Sequence, residues 1–91
     1  LGPRGVRVNA VAPGFVMTEA LQARVAAGER DTSVMEGQNT INRLVEPDQI
    51  ADAILFLCGA DASAITGVTL PVDNGWLAGL AYTTYAGNKK N

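Results

Sequence analysis

The run Pro13-Gly14-Phe15-Val16-Met17-Thr18 holds the residue types in this chain best suited to meet a ligand. It follows a stretch from Gly5 to Ala12, GVRVNAVA, whose β-branched and small residues read as a buried strand. In open α/β sheets, ligands bind beyond the carboxyl ends of the strands. Pro13 fixes the exit angle of the chain, and Gly14 lets backbone approach a ligand with no Cβ in the way. Thr18 offers a hydroxyl beside a helix N-terminus, suited to phosphate or amide groups. The same pattern also describes a plain Pro-Gly turn followed by a Thr cap. Spacing alone leaves both readings open.

Other chemistry is thinly represented among the 91 residues. There is no histidine and a single cysteine, Cys58. Ser-His-Asp and Cys-His arrangements, histidine metal sites, paired-cysteine sites and an intramolecular disulfide are thereby excluded. Asp48 and Asp52 stand one helical turn apart and read as a solvated face with Asp48 near the positive end of the helix dipole, so no metal site is expected. Tyr85 and Lys89 have a Tyr-x-x-x-Lys spacing, but the intervening Gly87-Asn88 disfavours the helix that would align them, and we assign no catalytic residue in this chain. Seven basic residues against nine acidic ones give a net charge of -2, which offers no footprint for nucleic acid or an anionic membrane surface. The longest apolar run, Ala53 to Ala60, is far short of the roughly 20 residues a membrane span needs.

The elements that must position the loop follow from the hydrophobic pattern. Val6, Val8 and Ala10 fall on one face of the first strand and Val11 on the other, which suits a parallel sheet covered on both sides. Thr18 precedes an alanine-rich helix that Gly28 stops. A polar interval follows, with at most one short helix around Thr32 to Asn39. Pro47 then opens a clearer helix to Cys58, with Ile50, Ala51, Ile54, Leu57 and Cys58 forming one expected buried stripe, and Gly59 ends it. VTLPV, from Val68, forms a second strand whose Pro71 lacks an amide hydrogen and marks it as an edge strand. Strand, crossover with helix, strand is the parallel βαβ arrangement. Two strands with apolar residues on both faces need more layers than this chain supplies, so the piece is expected to be incomplete on its own.

Three motifs in order, RVNAVAPGFVMT, RLVEPDQIADAILFLCG and ASAITGVTLPVDNG, resemble the C-terminal portion of the short-chain dehydrogenase/reductase family in its single-domain form. The resemblance covers roughly Gly5 to Gly75. It implies an α/β fold, the C-terminal part of a Rossmann-type doubly wound parallel sheet, with a strand at 5–12, a cofactor loop at 13–18, a substrate lid at 19–46, a helix at 47–58, an edge strand at 68–73 and a tail at 74–91. It implies NAD or NADP as cofactor and hydride transfer between a small secondary alcohol and a carbonyl. By resemblance, Pro13 and Gly14 form the turn beside the nicotinamide, the backbone of Val16 holds its carboxamide, and Thr18 supplies a hydroxyl nearby; Asn9 is structural. The family's Gly-rich phosphate turn is absent here, and its catalytic Ser and Tyr-x-x-x-Lys pair precede the Pro-Gly strand, so the segment alone is expected to be inactive. The family pairs the last helix and edge strand across subunits, implying a cytoplasmic homodimer or homotetramer. The family's double glycine after the last strand is here Asn74-Gly75; Asn tolerates left-handed backbone, so the turn is expected to survive. A non-catalytic assembly module using the same helix and edge strand is the alternative reading.

Overall fold

In the computed structural model, which describes residues 2–79, two short strands from near the two ends of that span pair in parallel. β1 (Ala10–Pro13) and β2 (Thr69–Val72) run in register from Ala10 opposite Thr69 to Pro13 opposite Val72. The crossover between them carries α1 (Glu19–Ala26), α2 (Ser33–Gln38) and α3 (Pro47–Cys58). The last of these packs against both strands.

Regular pairing occupies a shorter span than the 5–12 and 68–73 segments predicted from sequence. Asn9 shows why. Its side-chain amide donates to the Ile65 carbonyl at 2.9 Å, and its Oδ1 accepts from the Val68 amide at 3.1 Å. Val8 donates to the Thr66 hydroxyl at 3.1 Å rather than to a backbone carbonyl, while its own carbonyl accepts from Gly67 at 2.8 Å. Side chains thus replace the ladder ahead of Ala10, and Asn9 has the structural role expected of it. Within the ladder, Ala10 donates to Val68 and Gly14 to Val72. Residues 68, 70 and 72 therefore turn their backbone groups toward β1, and Pro71 turns away from it, so its missing N–H costs no bond in this sheet.

α3 begins with Pro47 in its first turn, and the Glu46 amide donates to Gln49 Oε1 at 2.9 Å, one half of a capping box. Its other end is held by Arg7, whose guanidinium donates to the carbonyls of Leu57 at 2.9 Å and Ile65 at 3.0 Å. A cation at a helix C-terminus meets both the free carbonyls and the negative end of the dipole. One side chain ahead of β1 thereby ties the helix to the approach of β2.

The predicted buried stripe of α3 is only partly buried. Leu57 is enclosed and Ile50 half-enclosed, but Ala51, Ile54 and Cys58 are exposed. A single helix over two strands has no neighbouring helix or strand to close its flanks. Ile54, Leu57 and Cys58 instead line an open groove of about 480 Å³ with Arg7, Val8 and Val11. The other side of α3 presents Leu55 and Phe56, 72% and 47% exposed. Among the described residues, the buried apolar side chains are Leu44, Val45, Leu57 and Ala62. No helix among those residues is long and apolar enough to cross a membrane.

Candidate functional site

The loop after β1 is held against the segment that enters α3. The Val45 amide donates to the Phe15 carbonyl at 2.9 Å, and the Met17 amide donates to the Val45 carbonyl at 2.8 Å. These two bonds place Val16 in a parallel bridge with Val45, whose side chain is 1% exposed. In such a bridge the flanking residues make the bonds, and the residue between them turns its own N–H and C=O the other way. Val16 therefore presents both groups on the side opposite Val45. Its carbonyl accepts from the Thr18 amide at 3.0 Å, which leaves one lone pair, and its N–H makes no hydrogen bond among the described residues.

Thr18 is the N-cap of α1. Its Oγ1 accepts from the Leu21 amide at 3.2 Å and its carbonyl from Gln22 at 2.9 Å. Because the hydroxyl oxygen is the acceptor in that cap, its hydrogen stays free to donate. Glu19 stands in the first turn. Its carboxylate competes with any anion for the helix N-terminus, so a neutral amide suits this end better than a phosphate.

Gly14 has a steric role that sequence alone did not show. A Cβ built there would lie 2.7 Å from Asp73 Cβ and 3.0 Å from Asp73 Cα. The close approach is between the two strand ends. Asp73 in turn accepts from the amides of Gly75 at 2.9 Å and Leu77 at 3.1 Å, and so organises the turn after β2. Asn74 there has φ 51° and Gly75 φ 83°, the left-handed backbone expected of Asn74-Gly75.

Phe15 meets Trp76 edge to face, with ring centroids 6.0 Å apart and planes at 80°. Together with Pro13, Gly14, Pro71 and Leu77 they line a mainly apolar hollow of about 310 Å³ at the carboxyl ends of both strands. Trp76 is half-buried in this packing. The Tyr85–Lys89 pair lies outside the described residues.

Pro13, expected in the loop, is the last residue of β1 and pairs with Val72, and Gly14, Val16 and Thr18 follow it in the short loop. Three contributors escaped the sequence reading. Val45 and Asn39 sit in the polar interval, and Asn39 is fully buried with its amide donating to the Arg43 carbonyl at 2.8 Å. Arg7, an isolated cation in an apolar strand, was a visible signal without an assigned purpose. At the rim of the interval, Asp31 accepts from the Ser33 amide at 2.9 Å, and that bond holds its carboxyl below the usual carboxylate range.

Residues 1–77 match the family model described as enoyl-(acyl carrier protein) reductase. An uncharacterised short-chain type dehydrogenase/reductase of Sinorhizobium fredii is 47% identical over 75 residues, covering 82% of this chain and 14% of that protein. The chain belongs to the short-chain dehydrogenase/reductase family. A short-chain dehydrogenase/reductase structure from Burkholderia thailandensis superposes with a TM-score of 0.83 at 37% identity, covering 99% of this chain and 36% of that one. ElxO solved with NADP bound gives 0.79 at 34% identity, over 85% of this chain and 31% of its own. This short-chain dehydrogenase/reductase chain therefore spans about a third of the solved chains it matches. Its two parallel strands and α3 are the corresponding part of a Rossmann-type sheet, and the sheet is incomplete as it stands.

Proposed function

We propose that the chain is the C-terminal segment of an NAD- or NADP-dependent oxidoreductase that transfers a hydride between the nicotinamide and a small secondary alcohol or ketone. In this reading Pro13, Gly14, Val16 and Thr18 hold the nicotinamide side of the cofactor, and residues 19–46 cover the substrate. The observation that carries it is the bridge between Val16 and Val45. It turns an N–H donor and a C=O acceptor outward, and Thr18 adds an O–H donor two residues on. A primary carboxamide meets that set: the two lone pairs of its oxygen take the two donors, and one of its two N–H groups meets the Val16 carbonyl. Bound there, the nicotinamide supplies the hydride acceptor or donor. The loop's own work is to fix the ring's orientation through its carboxamide, a positioning contribution of the kind that dominates reactions between two bound partners.

The cover role of 19–46 is supported by how little holds its first part, 19–38, to the rest of the structure. Among the described residues, the hydrogen bonds of 19–38 are all local, and none reaches the sheet. Segments of low local stability are those recruited as lids. Leu55 and Phe56, exposed on α3, support association of the whole protein with a second copy through that helix. The proton-transfer groups that the resemblance places ahead of the Pro-Gly strand complete the reaction.

The test is turnover of the full-length dehydrogenase followed through the nicotinamide absorbance, with NADH and NADPH binding measured by calorimetry. Thr18→Ala is expected to weaken cofactor binding and slow turnover. Unchanged affinity and rate in that variant would remove Thr18 from the site, and no binding of either cofactor by the full-length protein would overturn the reading as a whole.

A further inference from the structure

The base of the polar interval is fastened to the turn after β2, and Asn74 supplies one of the fastenings. The Asn74 side-chain amide donates to the Arg43 carbonyl at 2.9 Å, and the same carbonyl accepts from Asn39 Nδ2 at 2.8 Å. The Ile41 amide donates to the Asn74 carbonyl at 2.9 Å, and Thr40 Oγ1 donates to the Gly75 carbonyl at 2.9 Å. Gly75 comes so near Thr40 that a Cβ on it would lie 2.6 Å from Thr40 Cβ. Residues 39–43 are thus joined to 74–75 by three hydrogen bonds and one close contact of the Thr40 side chain on Gly75, whereas 19–38 have no hydrogen bond to the sheet among the described residues.

We propose that Asn74 is a positioning residue for the substrate cover: its amide, converging with that of Asn39 on Arg43, fixes the point about which residues 19–38 open and close. This rests on the reading of 19–46 as a cover over the substrate. Asn at this position serves two needs at once. Its backbone accepts the left-handed φ of 51°, and its side chain reaches back to the interval, which glycine cannot do. Asn39 is a costly partner for a structure that did not need the contact. It is wholly buried and its Oδ1 has no donor, so only the Nδ2 bond to Arg43 repays its enclosure. With the base held, opening is confined to the stretch between the Thr18 cap and Asn39.

Asn74→Gly deletes the donor and leaves the backbone at ease, because glycine adopts φ 51° freely and the Ile41 bond is to the main chain. In the full-length dehydrogenase this variant is expected to raise KM for the alcohol about fivefold, the factor one ordinary hydrogen bond is worth, with kcat and cofactor affinity changed less than about twofold. Amide hydrogen exchange across 29–42 should quicken by a similar factor, with the melting temperature lowered by no more than about 2–4 °C. Asn74→Asp keeps the backbone tolerance but sets a carboxylate against the Arg43 carbonyl, and should show the same loss in KM. Unchanged KM and unchanged exchange in both variants overturn the proposal; so does a fall in kcat and cofactor affinity in step with the loss in KM, which is the mark of general damage. If the full-length protein neither binds cofactor nor turns over, faster exchange at 29–42 in Asn74→Gly still supports the fastening and unchanged exchange overturns it, so the failure of the enzymatic reading is told apart from the failure of this one.

Discussion

Val16 and Val45 form a parallel bridge that joins the loop after β1 to the residue two positions before α3. One of the pair is almost fully enclosed, and the other turns its backbone groups outward. Packing at Val45 therefore sets the direction in which Val16 can bond.

Val45→Ala removes two buried methyl groups beside the bridge. A loss of about 2 kcal/mol in folding stability is expected, from lost burial plus the cavity left behind. Denaturant unfolding of the full-length protein measures it. Cofactor affinity should fall with it, and saturating cofactor should recover part of the stability through mass action.

Thr18→Ala removes the cap of α1, for about 1 kcal/mol, along with the free hydroxyl donor. Thr18→Ser keeps both. Parallel unfolding and cofactor titrations on the two variants check this: Ser is expected to match the parent in both, and Ala to lose in both.

Gly14→Ala and Gly75→Ala fail for different reasons. At Gly14 the new methyl meets the Cα and Cβ of Asp73, which cannot swing aside, at a cost of about 1–3 kcal/mol. At Gly75 a similar clash with Thr40 is joined by the strain of φ 83°, so the larger loss is expected there. Melting temperatures of the two variants, measured side by side, decide the order.

Arg7→Met keeps the aliphatic stem and removes the donors to Leu57 and Ile65. Charge-assisted bonds of this kind are worth about 1.5–3 kcal/mol. Arg7→Lys should recover only part, since an ammonium lacks the planar fork that spans two carbonyls. Exchange protection of the last turn of α3 is the direct readout.

Acid should loosen the start of α2 before the sheet. The carboxyl of Asp31 is held below its usual range by the Ser33 amide, so its contribution is complete above the ordinary carboxylate pKa and is lost as pH falls through the lowered one. Exchange at Ser33, followed into the acid range, is expected to quicken there, and Asp31→Ala should abolish the dependence.

Much of this was legible because the residues that carry it act locally. Pro47 starts α3, Thr18 caps α1, and the Pro-Gly pair ends β1; each signal lies within a few positions of its effect. Asn74 was read as compatible with left-handed backbone, and it is. What could not be read depended on contacts across the chain. Arg7 reaches carbonyls 50 and 58 positions away, and the closeness of Gly14 to Asp73 exists only once the strands pair. The stripe on α3 was misjudged for a related reason. Periodicity tells which side chains share a face, but enclosure needs a second surface, and Ile54 and Cys58 have none within the described residues.

Pro71 gives the sheet a direction of growth. Its imide nitrogen faces outward from β2, so that margin offers an interrupted row of donors and is a poor template for a further strand. The far side of β1 keeps the N–H and C=O of Val11, and additional strands of a larger sheet belong there. A second copy meeting β2 would have to engage it through side chains, which makes such a contact sensitive to shape and separable, by substitution at Leu70 or Leu55, from the hydrogen-bonded continuity of the sheet itself.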